Sequence, residues 1–330
     1  MTPIAPHITA FLRERLPIER GASQNTCDSY AITFQLLFEF AAARLKKMPS
    51  QLHLENIDAS VVTDFLEHLE TKRNNSPSTR NARLAAIKSF LRFVQYRVPS
   101  ALEQIQQILA IPQKKTETRL VAHLKVDEMQ EVLDAPEPTT RAGIRDQAML
   151  HVTHNAGLRV SELVGLRMED VINVGSGLSL RIRGKGRKER VLPLWKETAT
   201  PLRAWLAVRG KAKVPEVFLN ARGESMSRWG FTYILKKHVK IAAKRNPSLQ
   251  KKSVSPHVLR HTCAMVILQA THDVRKVSLW LGHASVQTTE IYTRADPTVK
   301  LEALEAVTPP QLRKGRFSPP DNLIALLKAR

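Results

Sequence analysis

Cysteine is nearly missing from this chain. Cys27 and Cys263 are the two among 330 residues, far apart and outside any metal-ligand spacing. That excludes a disulfide framework and a structural zinc site, and the pair reads as free thiols of a reducing compartment. Long apolar runs are missing as well. No uncharged segment approaches the roughly 20 residues that a membrane span requires. The N-terminus, MTPIAPHITAFLRERL, lacks the basic start and unbroken apolar stretch of a signal peptide. The sequence therefore reads as a cytoplasmic, nucleoid-associated protein with no membrane partner. Acidic residues are scarce beside basic ones, 30 against 51, leaving a formal net charge of +21. Much of that excess lies in patches, which points to an anionic polymer as partner, most simply nucleic acid. A nucleotide-binding glycine loop is missing too: Gly184-Lys185-Gly186 is not followed by a βαβ pattern.

What is present suffices for two hydrophobic cores: the length exceeds one typical domain and 43% of residues are hydrophobic. Residues 1–112 read as helices only. A first helix, Ile8–Leu16, is expected to end before Pro17. A second runs from Ser23 or Thr26 towards Lys46, with Tyr30, Phe34, Leu37, Phe38 and Ala41 on one face. A third covers Ala59–Lys72, and a fourth starts after Ser76 or Ser78. In that fourth helix Leu84, Ile87, Leu91 and Val94 form an apolar stripe. Arg80, Arg83, Lys88 and Arg92 fall elsewhere on the wheel, a cationic side suited to a DNA backbone.

Residues 113–119, a short polar run after Ile111-Pro112, read as a linker. Residues 120–307 alternate helices with one hairpin, and 308–330 form a basic, proline-punctuated tail. Gly157 ends a helix, and Arg159 stands close to the start of the next, a favourable place for phosphate. Leu178–Arg183 and Arg190–Leu194 read as paired strands, with Lys185, Arg187 and Lys188 at the tip between them.

The densest chemistry lies between Ser255 and Arg294: His257 and Arg260 three apart, then His283, then Tyr292 nine residues on. Such a set suits a phosphodiester. A guanidinium holds non-bridging oxygens, imidazoles move protons, and a phenol attacks. Duller readings stand beside this one. Glu162 is either a helix-start carboxylate or a support for Arg159; His151, His154 and His261 read as core or supporting histidines.

Three segments in this order, Gly157–Leu163, Gly184–Arg190 and Ser255–Arg294, resemble the tyrosine recombinases of the phage-integrase and Xer type. Ser78-Thr79-Arg80-Asn81 resembles the core-binding domain of that family. The resemblance, over Ile8 to Asp296, implies a mainly α fold with a small antiparallel β-sheet. An all-helical core-binding domain would precede a mixed α+β catalytic domain. It implies that Arg159 and Arg260 clamp the phosphate, that Tyr292 attacks to leave a 3′-phosphotyrosine, and that Lys185 protonates the leaving 5′ oxygen. His257 would assist proton transfer at the tyrosine, and His283 would bond a phosphate oxygen. Neither metal nor other cofactor is implied. Double-stranded DNA with paired inverted-repeat sites is the implied partner, engaged by a homo- or hetero-tetramer through a Holliday junction. Leu301, Leu304 and Val307 offer an apolar stripe for docking on a neighbouring subunit. The basic tail and one departure lean towards a mobile-element enzyme. That departure is Thr271, standing where the family often ends a helix with glycine. A non-catalytic accessory protein and a monomeric type IB topoisomerase are the alternatives.

Overall fold

The computed structural model describes residues 1–116, 121–175, 177–184, 189–283 and 286–295. Lys185, Arg187, Lys188, Leu301, Leu304, Val307 and the tail at 308–330 lie outside the described residues, as does part of the expected linker. The chain divides into two compact units, Met1–Thr118 and Arg119–Arg330. It is mainly α with one small antiparallel sheet.

In the first unit every described regular element is helical. Helix α1 (Ile4–Ala10) runs straight into a π-helical segment, Phe11–Glu19, that contains Pro17. The helix expected to stop before that proline therefore continues through it. The wider winding draws the carbonyl of residue i−4 off the pyrrolidine ring, and the missing N–H costs one rung. Helix α2 (Gln24–Leu45) starts where the Ser23 side chain accepts from the Thr26 N–H. Asp58 caps α3 (Ala59–Thr71), and Ser76 caps α4 (Pro77–Val94), with Pro77 in the first turn. A last helix, α5 (Leu102–Ala110), closes the unit. Their apolar faces meet around Phe11, Phe34 and Phe90, whose ring centroids lie 5.2 to 6.1 Å apart.

The cationic side expected on α4 is not presented as a free face. Arg80 is 6% exposed, and its Nη1 donates to the Pro112 carbonyl. Arg83 donates to the Ser29 carbonyl and the Thr33 hydroxyl. Lys88 donates to the carbonyls of Leu109 and Ile111, at 2.7 and 2.6 Å. Burial foremost, then Arg92 and Arg80, lowers the Lys88 pKa. Lys88 thereby satisfies carbonyls at the C-terminal end of α5 that water would otherwise have to reach. Arg92 alone of the four is exposed.

The second unit opens with α6 (Val126–Leu133) and α7 (Arg141–Ala156), followed by the short α8 (Val160–Val164). Strands β1 (Val171–Val174), β2 (Gly177–Arg183) and β3 (Glu189–Pro193) form an antiparallel sheet in that order. The β2–β3 pairing sets Leu180 opposite Leu192 and Ile182 opposite Arg190. β1 is an addition to the expected hairpin; its four residues, Val-Ile-Asn-Val, carry no alternation to reveal it. Helices α9 (Lys196–Arg209), α10 (Arg228–Ala242), α11 (Pro256–Thr271), α12 (Val274–Leu281) and α13 (Glu290–Ala295) complete the unit. The left-handed residue after α11 is His272, at φ +50°, not Thr271. Thr271 stays helical, its hydroxyl donating to the Ile267 carbonyl at 2.7 Å, so the left-handed helix end falls one residue later than the family's glycine position. Among the described residues, no helix is long and apolar enough to cross a membrane.

Candidate active site

The site begins at the end of α7. Gly157 takes a left-handed conformation (φ +56°), and a Cβ there would stand 2.5 Å from Leu281 Cδ2 and 3.1 Å from Cys263 Sγ. Only glycine lets α11 and α12 approach this turn so closely. The next turn places Arg159 at the N-cap of α8. Its backbone N–H donates to Glu162 Oε2 at 2.9 Å, and its Nη1 donates to Oε1 at 2.8 Å. Both readings of Glu162 therefore hold at once: it caps the helix start and it grips the arginine.

Glu162 also accepts from a residue to which sequence spacing assigned no role. Arg190 on β3 donates to it from Nη2 at 3.0 Å and Nη1 at 3.4 Å. Arg260 on α11 stands 3.9 Å from the same carboxylate. Burial would raise the Glu162 pKa. Hydrogen bonding and charge from Arg190, then Arg159, outweigh burial and hold it below the usual carboxylate value. One buried anion thus gathers three guanidinium groups.

Arg260 is nearly buried. Its Nη1 donates to the Gly157 carbonyl and its Nη2 to the Leu281 carbonyl at 2.8 Å. Two of its N–H donors are thereby spent on orientation. Burial first, then Arg159, pushes its pKa down to about 10, with Glu162 opposing, so it stays cationic at neutral pH.

Tyr292 on α13 closes the site and is 1% exposed. Its ring lies nearly parallel to that of His283, with centroids 6.4 Å apart. The Nδ1 of His283 pairs with the Thr289 hydroxyl at 2.8 Å. The Tyr292 hydroxyl lies 2.9 Å from Nδ1 of His261. Burial raises the phenol to about 12 against the lowering effect of Arg260. Burial, then nearby positive charge, lowers His261 and His283 to about 4, so both rings are neutral at pH 7.

Of the residues expected from sequence, the fold brings Arg159, Arg260, His283 and Tyr292 together, with Glu162 between the arginines. His257 lies one turn before His261, exposed, its ring centroid 6.4 Å from that of His261. Lys185, Arg187 and Lys188 lie outside the described residues. His154 and His151 sit elsewhere on α7; His154 packs against Trp195, and burial pushes it down to about 4. Among the described residues, no cluster of His, Cys, Asp and Glu could hold a metal ion.

A basic aromatic face on α10 was missed. Trp229 is 84% exposed and Tyr233 is 72% exposed, and Arg228, Lys236, Lys237 and Lys240 are exposed on the same helix. The 229–233–236/237–240 spacing was legible, but it carries no motif. An apolar groove of about 560 Å³ lies between β3, α11 and α12, lined by Val191, Leu192, Trp195, Ile267, Leu279 and Trp280.

Comparison with known proteins places these features among relatives. Residues 122–298 match the Phage integrase family, and residues 8–97 match the Phage integrase, N-terminal SAM-like domain. The chain is 44% identical over 326 residues to the "Putative integrase/recombinase y4rC" of Sinorhizobium fredii, across 99% of this chain and 98% of that protein. It is 36% identical to the tyrosine recombinase XerC of Pelobacter propionicus, across 94% and 97% of the two chains. Among solved structures, the XerH site-specific recombinase bound to a palindromic difH substrate superposes with a TM-score of 0.68. That match has 23% identity and covers 87% of this chain and 81% of that one. The Tn1549 transposon integrase in complex with a circular intermediate DNA superposes at 0.67, with 16% identity over 90% and 98% of the chains. At those identities the two structural likenesses are of fold.

Proposed function

The chain belongs to the phage integrase family of tyrosine recombinases, and on that premise we propose that it recombines DNA at specific paired sites, using Tyr292 as its nucleophile. One observation carries the reading. Arg159, Arg260, His283 and Tyr292, supplied by four separate segments of the chain, converge with Glu162 in one partly buried cluster.

Phosphodiester transfer needs an in-line nucleophile, neutralised charge on the phosphorane and a proton for the departing oxygen. Arg159, whose side chain is 34% exposed, and the remaining donors of Arg260 would hold the non-bridging oxygens. His283, with Nδ1 tied to Thr289, would offer its other nitrogen to a phosphate oxygen. The Tyr292 oxygen bonds to phosphorus, the bond to the 5′ oxygen breaks, and Lys185 supplies that oxygen's proton. The 3′-phosphotyrosine conserves the energy of the broken bond, so strands reseal without ATP or a metal.

The DNA partner follows from the charge of +21 and from the exposed face of α10, where Trp229 and Tyr233 precede Lys236, Lys237 and Lys240. Arg92, Arg187 and Lys188 add to it. Paired inverted-repeat sites, a Holliday junction and a tetramer extend the same reading. The groove lined by Leu279 and Trp280 is the face on which the stripe Leu301, Leu304 and Val307 of a neighbouring copy would dock. Integration, excision or transposition of a mobile element is the biological role we favour.

The test is a nicked suicide substrate built from the inverted repeats that flank the gene. The wild type is expected to form an SDS-resistant protein–DNA adduct, and Tyr292→Phe to bind equally well and form none. Adduct formation by the phenylalanine variant would remove Tyr292 from the chemistry.

A further inference from the structure

The proton on Tyr292 has to go somewhere before the phenol can attack, and the sequence motif offers His257 for it. The hydrogen bond offers another residue. The hydroxyl lies 2.9 Å from His261 Nδ1, with the two rings tilted by 59° and their centroids 5.6 Å apart. His257 is exposed and borders the His261 ring.

We propose that His261 is the proton acceptor for Tyr292: its Nδ1 holds the hydroxyl and takes the proton as the phenolic oxygen bonds to phosphorus. This rests on the phosphotyrosine reading above and assigns a step within it. The balance is complete. The O–H pair of Tyr292 becomes the new O–P bond, its proton passes to Nδ1, and the P–O5′ bond breaks. The departing oxygen takes its proton from Lys185. Resealing runs the same steps backwards, with His261 returning the proton to the tyrosine. The resting ring then carries its hydrogen on Nε2.

The surroundings explain why the pair is inert until DNA arrives. Burial, then His257 and Arg260 on the same helix and His123 on the segment before α6, pushes His261 down to about 4. Tyr292, pushed up to about 12, keeps its proton and is 1% exposed. A phosphodiester seated between Arg159 and Arg260 brings a negative charge that offsets the field depressing His261. Its basicity therefore rises only when a substrate is in place. His257, by contrast, faces solvent on α11.

Single-turnover adduct formation tests this with two suicide substrates. One has the ordinary 5′ oxygen at the scissile phosphate; the other has a bridging sulfur, which leaves without a proton. His261→Ala is expected to slow both by about 100-fold or more, the usual contribution of acid–base catalysis, with DNA affinity and melting temperature retained. Lys185→Ala is expected to be slow on oxygen and restored on sulfur. His261→Asn places Oδ1 where Nδ1 stood, so it accepts the hydrogen bond but cannot take the proton. It is expected to stay slow, and to lack the fall in rate at acid pH that the wild type shows on sulfur. If the alanine variant does not fold, the asparagine variant decides alone. Wild-type rates in the His261 variants, rescue of them by sulfur, or an acid limb persisting in His261→Asn would overturn the assignment while leaving Tyr292 as nucleophile. No adduct from the wild type would overturn the phosphotyrosine reading and this step with it.

Discussion

Arg190 of β3 and Glu162 of α8, 28 residues apart in sequence, share a two-pronged ion pair with separations of 3.0 and 3.4 Å. Through it the sheet holds the helix start that carries Arg159. The side chains are 11% and 5% exposed, so the pair is screened from salt. Without the carboxylate, Arg159, Arg190 and Arg260 would lose the anion they share.

Removing that carboxylate should therefore cost more than a surface ion pair would. Glu162→Gln is expected to lower stability by about 3–5 kcal/mol, the usual loss when one partner of a buried ion pair is removed. Thermal melting at pH 7 reads it. The sign with pH follows from the lowered Glu162 pKa. Its contribution is present above the ordinary value of 4.5 and is lost as pH falls through the lower folded value. A variant melting with the wild type would refute the hub.

Histidines in the second unit set a different window. His154, His261 and His283 are each lowered from 6.5 to about 4, burial being the first cause. Between those values the unfolded chain binds more protons than the folded one, so stability rises with pH there. Melting temperature is expected to fall by several degrees as pH drops from 6.5 to 5, where carboxylates remain ionised. His154→Gln should flatten that slope without changing DNA binding. An unchanged slope would assign the effect to other groups.

On α10, Lys236→Ala with Lys237→Ala should weaken DNA binding and reduce the slope of log affinity against log salt by about 0.9 for each phosphate no longer neutralised. Trp229→Ala should weaken binding while keeping that slope. All three side chains are exposed, so melting should hold within about 0.5 kcal/mol. Wild-type affinity in both variants would remove α10 from the DNA interface.

In the first unit, Lys88→Met should destabilise the fold by about 1–3 kcal/mol, because the carbonyls of Leu109 and Ile111 would be left without their donor. Its DNA affinity should match the wild type. Arg92→Ala should do the reverse: little change in melting, weaker DNA binding. Reduced affinity in Lys88→Met at unchanged stability would restore the cationic-face reading of α4.

Helix boundaries in this chain were legible wherever a local signal set them. Ser23, Asp58 and Ser76 cap the helices that follow them, and Gly157 and Gly282 end α7 and α12 in left-handed turns. Caps and glycine turns act over three or four residues, so sequence shows them directly. Pro17 misled because a π-helical winding, which no local motif announces, accommodates it. β1 was invisible because four residues paired with β2 need no periodicity of their own. Thr271 drew attention one position early because helices end where packing stops, not where a residue type is scarce.

The sequence by itself determined which reactive groups exist and in what order: Arg159, Lys185, His257, Arg260, His283 and Tyr292, on a strongly basic chain. It also marked Gly157 as a helix end, whereas the demand that no Cβ stand there comes from Leu281 and Cys263, which only the fold brings close. Tertiary structure alone decided the partners. It gave Glu162 to three arginines, gave the carbonyls of Leu109 and Ile111 to Lys88, and gave the Tyr292 hydroxyl to His261. The reason is one of range. A hydrogen bond forms over about 3 Å of space, while the residues that meet there can stand 103 positions apart along the chain, as Arg260 and Gly157 do.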